Sequence, residues 1–407
     1  MYLNNHVSII PASLFTYLVS LKSLILDGNK IENLIPETFS NANKLTHLDL
    51  SNNEIVNISK ETFVGLKQLQ DLHLESNRIS FLEEDVFKEC QNLKNIYLHD
   101  NYITTIHPNV FPNFVDIEYI NMNNNEIKEI PQEVLQGLKN LNFLQIVNNS
   151  IEEIPQDLLK DLRYLQTLYL SGNKIESVKA ESFKELKNLL NLDLSHNKIR
   201  FVKRANCKYL KNLQYLNVDY NKLKSLHAGA LSECSNLRYF FASYNEISYL
   251  SPSLFGDATN LLEIILEFNS IRFLSKNVFS RLEELKILNI DSNRISQLKP
   301  ALFADLVSLE NLSINNNSII SLYGDVFKGL KKLTYLSLSD NEIETLQSDI
   351  FSGLPKLQTI DLSSNKLTKI SANLFHGLKR LFYFGLTNNS IEVLQSGTFT
   401  GLHSLET

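Results

Sequence analysis

Seventeen asparagines stand 24 residues apart, at Asn5, Asn29, Asn53, Asn77 and onward to Asn389, with no insertion or deletion between any two. The fragments LILDGNKI (24–31), LDLSNNEI (48–55), LHLESNRI (72–79) and LYLSGNKI (168–175) show the shared template. Counted from the asparagine, apolar side chains recur at +2 (Ile31, Ile55), +5 (Leu34, Ile58), +10 (Phe39, Phe63), +16 (Leu45, Leu69) and +19/+21 (Leu48, Leu50). Chance does not keep such a register over 407 residues, and a period of this length signals stacked structural repeats.

The spacing dictates the local structure. In LxLxxN the leucines alternate, so they leave a short strand on one face. One strand cannot bury that face alone, but parallel neighbours about 4.8 Å apart can. The asparagine falls where the chain leaves the strand, and its amide can satisfy turn peptide groups that would otherwise be buried unpaired. The Phe column at +10 predicts a second stack on the opposite side, which explains how a chain with 23 Phe and no Trp packs. About seventeen short strands are expected, one per repeat.

The pattern LxxLxLxxNxIxxI followed by FxxLxxL resembles the leucine-rich repeat superfamily, and the 24-residue length with Phe at +10 resembles its typical subclass. That subclass is characteristic of extracellular animal proteins such as Toll-like receptors, Slit-type guidance proteins, small leucine-rich proteoglycans and insect adhesion proteins. The resemblance covers essentially the whole chain. It implies an α/β solenoid, a horseshoe whose parallel sheet lines the concave side and whose convex side is irregular or short 3-10 helix. It also implies partner binding mostly on the concave face. The sequence departs from the family in having no loop insertions and no cysteine-rich caps. It starts and stops in mid-repeat, at MYLNN and GLHSLET. The expectation is one solenoid over 1–407, with partial repeats at both ends, forming the repeat region of a larger protein.

Composition excludes several functions. Lys plus Arg number 39 against 45 Asp plus Glu, for a net charge of −6, so neither nucleic acid nor an anionic membrane is an expected partner. No apolar run approaches the roughly 18 residues of a membrane span, and none is expected to insert. No phosphate-binding glycine loop, HExxH or nucleophile elbow occurs, so an enzyme is not expected, and no cofactor is implied. Cys90 and Cys234 fall at +13 and Cys207 replaces the +10 Phe. A metal or redox site is conceivable, but three small buried hydrophobes are the expectation. Asn57, Asn148, Asn311, Asn316 and Asn388 each begin an Asn-X-Ser sequon, a candidate glycosylation site compatible with secretion. His47, His73 and His99 run diagonally across the concave face, with diagonal neighbours roughly 7–8 Å apart at the backbone, a spacing that allows a two-residue metal site and argues against a three-His one. Cross-strand ion pairs are expected instead, His47 with Asp71, His73 with Asp49 and His99 with Glu75.

The concave face should carry positions −6, −4, −2 and −1 from each asparagine, 64 positions in the sixteen repeats that have all four. They contain no Lys or Arg, although proportion would place about six there. Twelve are acidic: Asp27, Asp49, Asp71, Glu75, Asp100, Asp193, Asp219, Glu263, Glu267, Asp291, Asp340 and Asp361. The stretch YFFASYNEISY (239–249) sits in this register. Phe240 and Ala242 occupy core columns, whereas Tyr239, Phe241 and Tyr244 point to the concave face. With Tyr215, Tyr220, Ile265 and Phe268 they form a candidate patch on three adjacent strands, flanked by Asp219, Glu263 and Glu267. A smaller aromatic run, Tyr97, Tyr119, Phe143 and Tyr169, precedes it. These observations suggest an extracellular or cell-surface, non-catalytic protein-binding ectodomain of a receptor or adhesion protein, with a basic or amphipathic protein ligand. The alternatives are a secreted matrix or innate-immune recognition protein that binds glycans or microbial ligands, and an intracellular scaffold.

Overall fold

The structure, a computed structural model, describes residues 5–112, 114–201 and 204–406, with backbone only for 204–206. The first four residues of the amino-terminal partial repeat and Thr407 lie outside the described residues. Two compact units divide the chain, Met1–Lys198 and Ile199–Thr407.

Each unit is a parallel solenoid with one three-residue strand per repeat. In the first, Ser23–Ile25, His47–Asp49, Asp71–His73, Asn95–Tyr97, Tyr119–Asn121, Phe143–Gln145, Thr167–Tyr169 and Asn191–Asp193 pair in chain order, each residue opposite the one 24 positions on. In the second, Tyr215–Asn217, Tyr239–Phe241, Glu263–Ile265, Ile287–Asn289, Asn311–Ser313, Tyr335–Ser337, Thr359–Asp361 and Tyr383–Gly385 do the same. Sixteen such strands occur among the described residues, against about seventeen expected, the strand position of the Asn5 repeat falling outside them; six two-residue strands pair separately, Phe81–Leu82 with Thr105–Ile106, Ser225–Leu226 with Tyr249–Leu250 and Lys369–Ile370 with Val393–Leu394. The rest of each repeat is mostly turn, with 3-10 segments at Ala12–Phe15 and Ala180–Phe183 and one short helix, Arg204–Tyr209.

The repeated asparagine works as its position demands. Asn53 Nδ2 donates to the carbonyls of Leu50, Ser51 and, one repeat back, Leu26, at 2.9–3.1 Å. Its Oδ1 accepts the Ile31 amide at 3.1 Å. The same side-chain bonds recur along the ladder, as at Asn173 and Asn341. The side chains are buried from Asn29 to Asn365, except for Asn245, which like Asn389 is half-buried, and Asn5 is exposed. On the far side the +10 phenylalanines stack, for example Phe279 on Phe303 at 6.0 Å and Phe303 on Phe327 at 6.4 Å. Phe240 and Ala242 are fully buried, and Phe240 meets the Phe255 ring edge-on.

One expectation fails in the core. Cys207 and Cys234 are joined by a disulfide, and only Cys90 is a free buried thiol. The +10 position of one repeat and the +13 position of the next are diagonal neighbours, with Cα atoms 5.0 Å apart, within disulfide reach. Burial pushes the Cys90 thiol far above its ordinary range, so it stays protonated and inert.

Candidate ligand-binding face

The open face of the sheet is built from two different backbones. Positions −6 and −4 belong to the strands, alternating with a buried −5 residue, as where exposed Tyr239 and half-buried Phe241 flank buried Phe240. Positions −2 and −1 belong to the turn that follows. Every −1 residue from position 28 to 388 is left-handed, with φ from 49° at Asn316 to 68° at Gly172. Most of these residues suit that geometry: Gly28, Gly172, several Asn and Asp, and Ser. Tyr220, Tyr244 and Phe268 do not, since a bulky side chain at positive φ is a true outlier. The expected patch therefore lies on three strands and the turns after them, not on strands alone. The prevalence of Gly, Asn, Asp and Ser in the −1 column was the sequence signal for this.

The patch residues separate into two groups. Tyr220, Tyr244 and Phe268 stack face to face, with ring centroids 4.2 and 4.3 Å apart and planes within 7° and 12°. Tyr215 and Phe241 meet edge-on at 5.5 Å, while Tyr239 is exposed and Ile265 half-buried. Between the groups run Asp219, Ser243 and Glu267.

Most of the acids on this face have structural duties. Asp49, Asp193 and Asp361, at −4, accept the backbone amide two residues on, the role Asn217 and Asn289 also fill. Asp219 accepts the Ser243 amide, and Glu267 accepts Asn289 Nδ2 at 3.1 Å. Asp291 takes bonds from Ser313 and Asn315. Among the described residues only Glu263 and Asp340 of the twelve accept no hydrogen bond through the carboxylate. Glu263 lies in register between Tyr239 and Ile287, and burial raises its carboxyl above the usual range.

In the first unit the ring contacts form one continuous row. His47, His73, Tyr97, Tyr119, Phe143 and Tyr169 follow each other at centroid distances of 5.2, 4.2, 5.0, 5.3 and 5.6 Å. The expected histidine pairs are not made. His73 Nδ1 lies 3.1 Å from Glu75 Oε1 on its own chain segment, and His99 Nε2 is 3.8 Å from Asp100. His47 makes its contact with the His73 ring. Stacking on Tyr97 holds the His73 ring, which puts Glu75 within reach, while Asp49 is occupied by the Ser51 amide and hydroxyl. Burial lowers the affinity of His73 for a proton, but the Glu75 bond and charge, with Asp49 and Asp71, outweigh it and raise its pKa. Among the described residues no group of three or more His, Cys, Asp or Glu is placed to hold a metal ion. All five sequon asparagines are exposed.

The leucine rich repeat family matches in thirteen overlapping segments, from 4–55 to 332–391. No curated protein matches the sequence significantly. Among solved structures, a leucine-rich repeat protein of Leptospira interrogans is 29% identical, with TM-score 0.78 over 94% of this chain and 93% of its own. Drosophila Toll, in its complex with Spatzle, is 24% identical with TM-score 0.81 over 89% of this chain. The chain matches about half the Toll chain, 50%. A plant peptide hormone receptor bound to its peptide is 25% identical with TM-score 0.66, covering 93% and 64%.

Proposed function

Because the chain belongs to the leucine-rich repeat family, we propose that it is the non-catalytic, protein-binding ectodomain of a cell-surface receptor or adhesion protein, which engages a basic or amphipathic protein through the open face of its sheet. The observation that carries this reading is the patch in the second unit. Three consecutive left-handed turns hold Tyr, Tyr and Phe where the other repeats carry residues that bear this conformation at less cost. Strain retained over three repeats is a pointer to function, and exposed aromatic groups of this kind serve as interface anchors. The absence of Lys and Arg from the face argues against nucleic acid, whose phosphates need cationic partners. Similar folds bind protein ligands in the Toll–Spatzle and plant receptor–peptide complexes. The Cys207–Cys234 disulfide and the five exposed sequons favour an extracellular setting. No helix among the described residues is long and apolar enough to cross a membrane.

The test is a screen of the immobilised chain against a panel of secreted and cell-surface ectodomains, repeated with Tyr239→Ser/Phe241→Ser. A partner should be found whose affinity falls by about 2 kcal/mol or more, roughly 30-fold, in the variant. The melting transition should be nearly unchanged, since Leu216, Phe240 and Ile264 keep the core. Preserved affinity with a cooperative loss of stability would show that the rings serve the sheet instead.

A further inference from the structure

Most polar and aromatic groups on the open face of the second unit already have partners. Tyr220, Tyr244 and Phe268 are stacked on each other, and Tyr215 is set against Phe241. Glu267 and Asp219 accept hydrogen bonds. Two neighbours stand apart. Tyr239 is exposed and makes no ring contact among the described residues, and the Glu263 carboxylate accepts no hydrogen bond there. They are opposite one another in the parallel register, both at the first position of their strands and both on the open face. Adjacent strands are about 4.8 Å apart, the width over which one side chain can touch both.

An unpaired, partly desolvated carboxylate beside a free aromatic face is short of one chemical object. A flat cation fits both halves: its edge donates two parallel N–H bonds to a carboxylate, and its face lies on a phenol ring. No lysine or arginine of this chain occupies the face to supply that charge. We propose that Tyr239 and Glu263 form a receptor for an arginine side chain of the protein partner, with guanidinium preferred over ammonium. An ammonium has neither the plane to stack nor the fork to bind in two places. Ile265 and Ile287 flank Glu263 on the same face, and burial already raises the Glu263 carboxyl, so a cation relieves an existing electrostatic penalty. The inference rests on the protein-binding reading of this face and names the chemistry of its anchor.

Labelled hexaarginine, hexalysine and hexacitrulline peptides titrated against the full chain at fixed salt test it. Hexaarginine should bind at least about tenfold more tightly than hexalysine, and hexacitrulline should not bind, because the charge is needed as well as the shape. Glu263→Gln should weaken hexaarginine about tenfold. Tyr239→Leu should abolish the preference for arginine while leaving hexalysine unchanged, and Asp340→Asn, at the other unpaired carboxylate, should leave the preference intact. Circular dichroism melts confirm that each variant folds. Equal affinity for the two cationic peptides, or a preference that survives both Glu263→Gln and Tyr239→Leu, would overturn the assignment. If those peptides fail to discriminate while the protein partner is still lost with Tyr239→Ser/Phe241→Ser, the arginine site fails and the protein-binding reading stands.

Discussion

A left-handed aromatic residue is a contest between two terms of similar size, and the stack at Tyr220, Tyr244 and Phe268 allows them to be separated. A non-glycine side chain at positive φ costs about 1–2 kcal/mol, and each stacked pair returns about 0.5–1.5 kcal/mol. Tyr244 lies in the middle and has two ring partners, whereas Phe268 has one. Tyr244→Asn should therefore destabilise by about 1 kcal/mol, and Phe268→Asn should be close to neutral, as read from thermal melts. A loss at Phe268→Asn as large as that of a core truncation, about 3 kcal/mol, would show that the ring is needed by the fold. His73 makes a second prediction. Its folded pKa is raised above the ordinary histidine value of about 6.5, so the stabilisation it provides is fully present below about 6.5 and is lost as pH rises through the higher folded value. An NMR titration of the imidazole should give a pKa above 6.5 that falls in Glu75→Gln, since Glu75 supplies the main raising effects. A value at or below 6.5 in the native chain would remove Glu75 as its partner.

At the scale of the element, the strand and its asparagine are one unit repeated. Asn293 donates to the carbonyls of Leu266, Ile290 and Asp291 and accepts the Ile271 amide. Asn293→Leu keeps the volume but leaves these groups buried without partners, at about 1–3 kcal/mol for each one unsatisfied. The expected loss is about 3 kcal/mol or more in chemical denaturation. The equivalent change at Asn245, half-buried with the same bonding pattern, should cost less because water can reach the freed groups. Equal losses would mean that burial does not set the penalty. The ladder was legible in the sequence because its bonds join positions at fixed separations of 2, 3, 22 and 27 residues that recur in each repeat, so one register fixes all of them. The disulfide was not, because it crosses columns. Reading +10 and +13 as separate vertical stacks hides the contact between Cys207 and Cys234, which depends on the chain's path between them. The histidine pairs failed for a related reason: register fixes which residues are neighbours, but stacking on Tyr97 decided which carboxylate His73 reaches.

For the whole molecule, the separation of charge between faces is the property that sequence reading captured and the structure refined. All 39 basic residues lie off the 64 open-face positions, which hold 12 of the 45 acids, so the remainder carries 39 minus 33, or +6, against −12. The structure divides those acids by duty. Asp49, Asp193 and Asp361 cap turn amides and would be required in a repeat with no ligand at all, yet capping leaves their charge in place. A neutral Asn serves the same turn at Asn217 and Asn289, so the capping geometry accounts for an Asx residue and not for its charge. Nor does it account for the missing lysines. A field built this way acts at a distance and is shortened by salt, from about 10 Å at 0.1 M to about 3 Å at 1 M. Affinity for hexalysine, which cannot use a guanidinium-specific contact, isolates that field. It should fall by about an order of magnitude between those salt concentrations, while hexaglutamate should not bind at either. Replacing the two hydrogen-bond-free acids together, Glu263→Gln/Asp340→Asn, should lower the low-salt affinity only modestly, because ten charges remain. An affinity for hexalysine that is unchanged between 0.1 M and 1 M salt would show that the face attracts cations only by contact, or not at all.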